Sequence, residues 1–125
     1  MDENELSNRI IGAAIEVHRS LGPGLLESTY EECLCHELFL NGIPFQRQAP
    51  MAVTYKGVQL DCGYRTDIIV DEKVIPELKS VADIQPIHKA QLLTYLKLSE
   101  LKLGMLLNFN VQLMKDGIFR FANDL

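Results

Sequence analysis

The chain has 125 residues, 47% of them hydrophobic, and a formal net charge of -5. That size and apolar content suit a single domain with a substantial core, and the acidic balance argues against broad electrostatic attraction to nucleic acid. No apolar run approaches membrane-spanning length and the opening MDENELSN is acidic rather than signal-like, so a soluble cytoplasmic protein with no membrane partner is expected.

Leu6 to Leu21 is predicted as a helix, with Ser7 or Asn8 as cap and Ile10, Ala13, Ala14, Val17 and Leu21 as its apolar stripe. Gly22-Pro23-Gly24 breaks it, and a second helix runs from about Leu26 to Leu40, ended by Asn41-Gly42. Glu27 shares a face with Tyr30, Leu34 and Leu38, which should look inward. Alone it reads as a carboxylate favouring the helix dipole. Cys33-x-Cys35 sets two thiols on different sides of this helix, which predicts small buried hydrophobes rather than zinc ligands. With Cys62 the count is odd, so no disulfide framework is expected.

Phe45–Gln48 and Met51–Tyr55 read as strands parted by Ala49-Pro50, and Lys56-Gly57 turns the chain into a strand over Val58–Cys62. Asp83 as cap and Pro86 in the first turn predict a third helix, Ile87 to Leu98, with His88, Gln91 and Tyr95 on one face. Leu101–Phe109 alternates as a strand, and Asp116-Gly117 turns into a last strand, Ile118–Phe121. The order predicts an α/β domain with helices packed on a mixed sheet.

The centre of the chain is Tyr64–Ser80, YRTDIIVDEKVIPELKS. Ile68-Ile69-Val70 and Val74-Ile75 flank a polar Asp71-Glu72-Lys73, the pattern of a buried hairpin. Asp67, Glu77 and Lys79 stand where a purely structural hairpin would not want charge. A two-residue turn would put Asp67 and Glu77 on opposite faces. A three-residue loop over Asp71–Lys73, or a bulge at Pro76, would set them opposite each other, with Arg65 opposite Lys79. No Asn-Gly favours the tight turn, so the longer loop is expected. Two adjacent carboxylates repel unless a cation lies between them, and oxygen ligands of this kind suit Mg²⁺ or Mn²⁺. An adjacent lysine could orient water or neutralise charge on phosphate. Simple ion pairing is the alternative, and the spacing Asp-x₉-Glu-x-Lys amid aliphatic residues argues against it. Arg65 is expected to pair with an acidic ligand. Arg9, Arg19, Arg47 and Lys56 are assigned to the solvated surface, and His18 and His36 to ordinary histidines.

Asp67, Glu77-Leu78-Lys79 and Gln91-Leu-Leu-Thr-Tyr95 resemble the Asp…Glu-x-Lys…Gln-x₃-Tyr series of the PD-(D/E)XK nuclease superfamily, in its RecB-like branch. Gly24-Leu-Leu-Glu27-Ser-Thr-Tyr30 resembles the signature of the small GxxExxY proteins within it. The resemblance covers about Ile10 to Phe121 and implies a restriction-endonuclease-like core, a metal-dependent nuclease, and nucleic acid as partner, DNA ahead of RNA. A homodimer or a protein partner would help so small a fold grip a polymer. A weakly active or inactive binding module is the alternative function. The resemblance further implies that Asp67, Glu77 and the Leu78 carbonyl ligate Mg²⁺ or Mn²⁺, with Glu27 as an added acidic ligand or base. Lys79 would position water or stabilise the transition state, and Gln91 and Tyr95 would line the site. His88 shares the Gln91 face as an outer contact. Pro76 stands where an aliphatic residue is expected, which predicts a distorted strand and a shifted Glu77.

Overall fold

Every position of the strand Leu103–Asn108 (β4) is buried, which requires cover on both faces. The computed structural model, which describes residues 1–125, supplies that cover from three helices. They are α1 (Glu3–Leu21), α2 (Glu27–Leu40) and α3 (Pro86–Ser99). The other strands are β1 (Phe45–Tyr55), β2 (Val58–Val70), β3 (Val74–Lys79) and β5 (Ile118–Ala122), and a short 3₁₀ turn over Met114–Gly117 precedes β5.

The sheet runs β1-β2-β3-β4-β5. Only β3 and β4 are parallel, joined through α3, and the other neighbours are antiparallel. This is the mixed sheet flanked by helices that the sequence predicts. Ile68, Val70, Val74, Leu78, Leu103, Met105 and Leu107 pack toward α1 and α2 around Tyr30, Leu34 and Phe109. Ile69, Ile75 and Leu106 pack on the opposite face against Leu92, Tyr95 and Leu96 of α3. The residues between these on β2 and β3 therefore point at one helix layer or the other by the period-two rule. Asp67 lies two residues before Ile69 and Glu77 two residues after Ile75, so both belong to the α3 face.

Several expected boundaries move, each for a local reason. α1 starts earlier because Asp2, not Ser7 or Asn8, caps it; its Oδ1 accepts the Glu5 N–H at 2.8 Å. Ser7 is buried inside the helix instead. The cap of α3 is Gln85, not Asp83, and Pro86 holds the first helical position. β1 passes unbroken through Ala49-Pro50, which an edge strand tolerates because it has a ladder on one side only. β2 likewise continues through Gly63, at φ 75°. The Lys56-Gly57 turn is a two-residue hairpin closed by Tyr55 and Val58, with both turn residues left-handed. Cys35 is buried as expected, Cys33 only partly, and Cys62 is exposed.

Gly104 fixes how closely α3 approaches the sheet. A Cβ there would stand 2.8 Å from Leu92 Cδ1 and 2.9 Å from its Cγ. Gly104→Ala should therefore lower unfolding free energy by about 1–3 kcal/mol in urea titrations. Combined with Leu92→Ala it should cost less than the two single changes added, because the smaller side chain removes the clash. Strict additivity would contradict this account of the α3 height.

Candidate functional site

The loop between β2 and β3 decides the site. Val70 and Val74 form the closing pair, so the loop is the three residues Asp71–Lys73, and Asp67 comes opposite Glu77. No regular pair follows Val70/Val74. The reason is Pro76. The Leu78 N–H points toward β2, so the nitrogen two residues earlier faces the same way, and at Pro76 it carries no hydrogen. The parallel ladder to β4 runs intact from Val74 to Lys79. The distortion expected from Pro76 thus falls wholly on the β2 side, where it parts the strands instead of bending β3.

Side chains fill the gap. Asp67 N–H donates to Glu77 Oε1 at 2.9 Å, and Leu78 N–H donates to Asp67 Oδ2 at 2.9 Å. Each carboxylate is fixed by the opposite strand's main chain. The Asp67 N–H is available because β1 also departs from its ladder there: Gln48 has φ 47° and makes no pair with Asp67, although pairing resumes on both sides. A left-handed glutamine inside a strand is strained and needs an anchor. Glu31 of α2 provides one, its Oε1 accepting from Gln48 Nε2 at 2.8 Å. Arg47 is exposed, as expected, and pairs with Glu31 at 2.8 Å and with Glu32 at 3.0 Å.

Burial dominates the electrostatics. Glu77 is only 7% exposed. Burial first, and the charge of Asp67 second, push its carboxyl up to about 8, against the opposing pull of the Asp67 N–H and the Lys79 ammonium. Asp67 is also raised, by burial above all; the Leu78 N–H pulls it down and the charge of Glu31 adds to the rise. Near neutrality Glu77 therefore favours its protonated form, since two adjacent carboxylates in so dry a site repel when both are ionised. The Tyr95 hydroxyl is raised too, by burial and then by the charges of Glu77, Tyr64 and Asp67. Tyr95 packs with Ile75 and Leu106 on the same sheet face as the pair. Lys79 is half-buried, makes no ion pair, and acts on both carboxylates through its field.

These donors fit a hard divalent cation. Each carboxylate uses one oxygen on the backbone, leaving Asp67 Oδ1 and Glu77 Oε2 free of main-chain bonds. The Leu78 carbonyl points to the β2 side, as its N–H does. No third His, Cys, Asp or Glu joins the pair, so an ion here would complete its shell with main chain, water and ligand, as Mg²⁺ prefers. The thiol of Cys35 is pushed up to about 12 by burial, which leaves it protonated and unsuited to a soft metal.

The other expected site residues divide. Glu27 does not look inward: it is exposed in the first turn of α2, beyond the end of β3, where Oε2 accepts the Ser80 N–H at 3.3 Å. Ser80 is the neighbour of Lys79 in the chain, but the α2 carboxylate whose charge reaches Asp67 is Glu31, one turn after Glu27. Tyr30 is structural. Its hydroxyl donates to the Gly22 carbonyl at 2.6 Å and accepts the Leu25 N–H at 3.1 Å, and its ring stacks on Phe109 at 4.4 Å. Gln91 is exposed and shares with Tyr95 the wall of a groove between α3 and the β1–β2 hairpin. His88 also borders it, with Nδ1 accepting the Gln85 N–H at 3.0 Å as part of the helix cap. Arg65 does not pair with an acid; it donates to the Gln48 carbonyl at 3.3 Å. His18 is satisfied by the Val111 carbonyl at 2.7 Å.

Sequence reasoning missed Glu31, Gln48 and Tyr64. Glu31 had a signal, its i+4 spacing from Glu27. Gln48 had none.

A family model for the PD-(D/E)XK nuclease superfamily matches residues 4–121. No curated protein and no solved structure matches.

The raised Glu77 makes metal-free stability depend on pH with a definite sign. Its contribution is fully present below the ordinary carboxylate range and is lost as pH rises toward 8, because only the unfolded chain ionises freely there. Glu77→Gln keeps the acceptor for Asp67 N–H without the charge. It should melt roughly 5 °C above the parent at pH 8 in EDTA and close to it at pH 4.5. An equal loss of stability at both pH values would contradict a protonated Glu77.

Proposed function

We propose that this chain, which belongs to the PD-(D/E)XK nuclease superfamily, hydrolyses phosphodiester bonds of nucleic acid with the help of Mg²⁺ or Mn²⁺. Within that superfamily we place it among the GxxExxY proteins of the RecB-like branch. The observation that carries this reading is the facing pair of carboxylates, Glu77 buried and Asp67 half-buried, each fixed to the other's strand by a main-chain N–H.

Asp67, Glu77 and the Leu78 carbonyl are the residues that would hold the ion. When bound, a divalent ion supplies Lewis-acid polarisation of a phosphoryl oxygen and acidifies water. The residues of the chain do the rest. Glu77 would hold the ion as its carboxylate, the deprotonated form that metal ligation requires. Lys79 presents its ammonium on the same side, where it can orient the attacking water and offset charge growing on the phosphate oxygens. Tyr95 closes the α3 side against bulk water and offers a hydroxyl to phosphate, with Gln91 one turn along the same helix. Glu27, held at the Ser80 N–H past the end of β3, would add an acidic group at the edge of the site.

Cleavage of single- and double-stranded DNA and RNA with Mg²⁺ or Mn²⁺ tests the reading. Glu77→Gln and Lys79→Ala should each lower the rate by roughly 10²–10³-fold, the range for losing one group aimed at developing charge. Activity that survives both would discard the site.

The net charge of -5 favours a second reading, a nuclease-fold binding or regulatory module. A melting temperature raised by millimolar Mn²⁺, without cleavage of any of these substrates, would favour it; an ion held at about 100 times its dissociation constant adds roughly 2.7 kcal/mol.

A further inference from the structure

The groove beside the carboxylate pair is built from different chemistry than the pair itself. It encloses about 450 Å³ between α3 and the β1–β2 hairpin, within the roughly 300–1,000 Å³ typical of small-ligand sites. Val53, Tyr64, Ile87, Thr94 and Tyr95 line it, and no lysine, arginine, aspartate or glutamate does. Tyr64 is 49% exposed and Ile87 69% exposed, so the rim presents an aromatic ring and an aliphatic side chain to solvent. Hydroxyls of Tyr64, Tyr95 and Thr94, the Gln91 amide and the His88 imidazole are the polar groups along it.

We propose that this groove takes an unpaired nucleobase from a single strand whose neighbouring phosphate lies at Asp67 and Glu77. The inference rests on the nuclease reading and adds the substrate class to it. Tyr95 connects the two regions, since it lines the groove and packs with Ile75 on the sheet face that carries both carboxylates. A group covalently next to a phosphate at the pair is therefore carried into the groove. That group is not another phosphate, because no lysine or arginine lines the walls to receive one, and the Nδ1 of His88, the one imidazole there, is taken up by the Gln85 N–H. A flat, uncharged ring with a hydrogen-bonding edge matches the tyrosine faces and the Gln91 and Thr94 side chains. In a duplex both faces of a base are stacked and its edge is paired, so only an unpaired base can enter.

Binding of fluorescein-labelled 12-nucleotide single strands and of the matching duplex should be measured by anisotropy in Ca²⁺, with cleavage followed separately in Mn²⁺. The single strand should bind at least about tenfold more tightly than the duplex. Tyr64→Ala should weaken single-strand binding roughly 5- to 150-fold, the range for losing one stacked base, and leave duplex binding unchanged. Ala90→Trp, which fills the groove from an exposed helix position, should do the same without removing any polar group. Equal affinity for both forms, no binding to either, or indifference to both substitutions in folded protein would overturn the proposal. So would a dimer, seen by light scattering, that Tyr64→Ala dissolves while no oligonucleotide binds, because the groove would then belong to a second copy. Tyr64-dependent binding without cleavage keeps the groove and removes the hydrolase reading. Cleavage of duplex that ignores Tyr64 does the reverse.

Discussion

Two hydrogen bonds from main chain to carboxylate, crossing between β2 and β3, are the constraint on which the site depends. A regular antiparallel ladder would have satisfied these N–H groups with carbonyls and left the acids free to turn toward water. Pro76 removes one ladder donor and Gln48 removes the ladder partner of Asp67. The carboxylates then become the acceptors the backbone lacks, and that role holds them in the interior. A buried N–H left unpaired would cost about 1–3 kcal/mol. The geometry that places two acids together is thus maintained by the backbone's own need for partners.

Bringing the acids together has an electrostatic consequence. Burial alone disfavours ionisation, and a like charge next door disfavours it further. The pair resolves the conflict by keeping a proton on Glu77. A divalent cation resolves it equally well, and the oxygen atoms not used by the backbone are where such an ion would go. Lys79, near enough to act on both acids yet paired with neither, lowers the cost of the charged state without occupying the position between them. The same balance gives the metal-free fold its dependence on pH.

Much of this was legible in the residues. The absence of Gly or Asn after Val70 pointed to the three-residue loop, and hence to the right register. The series of aliphatic runs gave the layered α/β order, and the alternation of Leu101–Phe109 marked β4, though not that both its faces would be covered. What stayed hidden had no local signature. A left-handed Gln48 within an edge strand depends on Glu31 from a distant helix, and no composition rule anticipates it. Glu27 was expected inward because its helical face carries Tyr30, Leu34 and Leu38, but α2 begins past the end of β3, so its first turn has no sheet to bury against. The hydrogen-bonding role of Tyr30 likewise depends on the Gly22–Leu25 loop returning to meet it.

The exchange of a proton for a cation at Asp67 and Glu77 is the central claim, and calorimetry reads it directly. Mn²⁺ is titrated into the protein at pH 7 in buffers of different ionisation enthalpy, and the dependence of the observed heat on buffer counts the protons released. About one proton per bound ion is the expected result, since Glu77 is held near 8 in the metal-free protein. Binding with no proton release, or no binding at millimolar Mn²⁺, would contradict it.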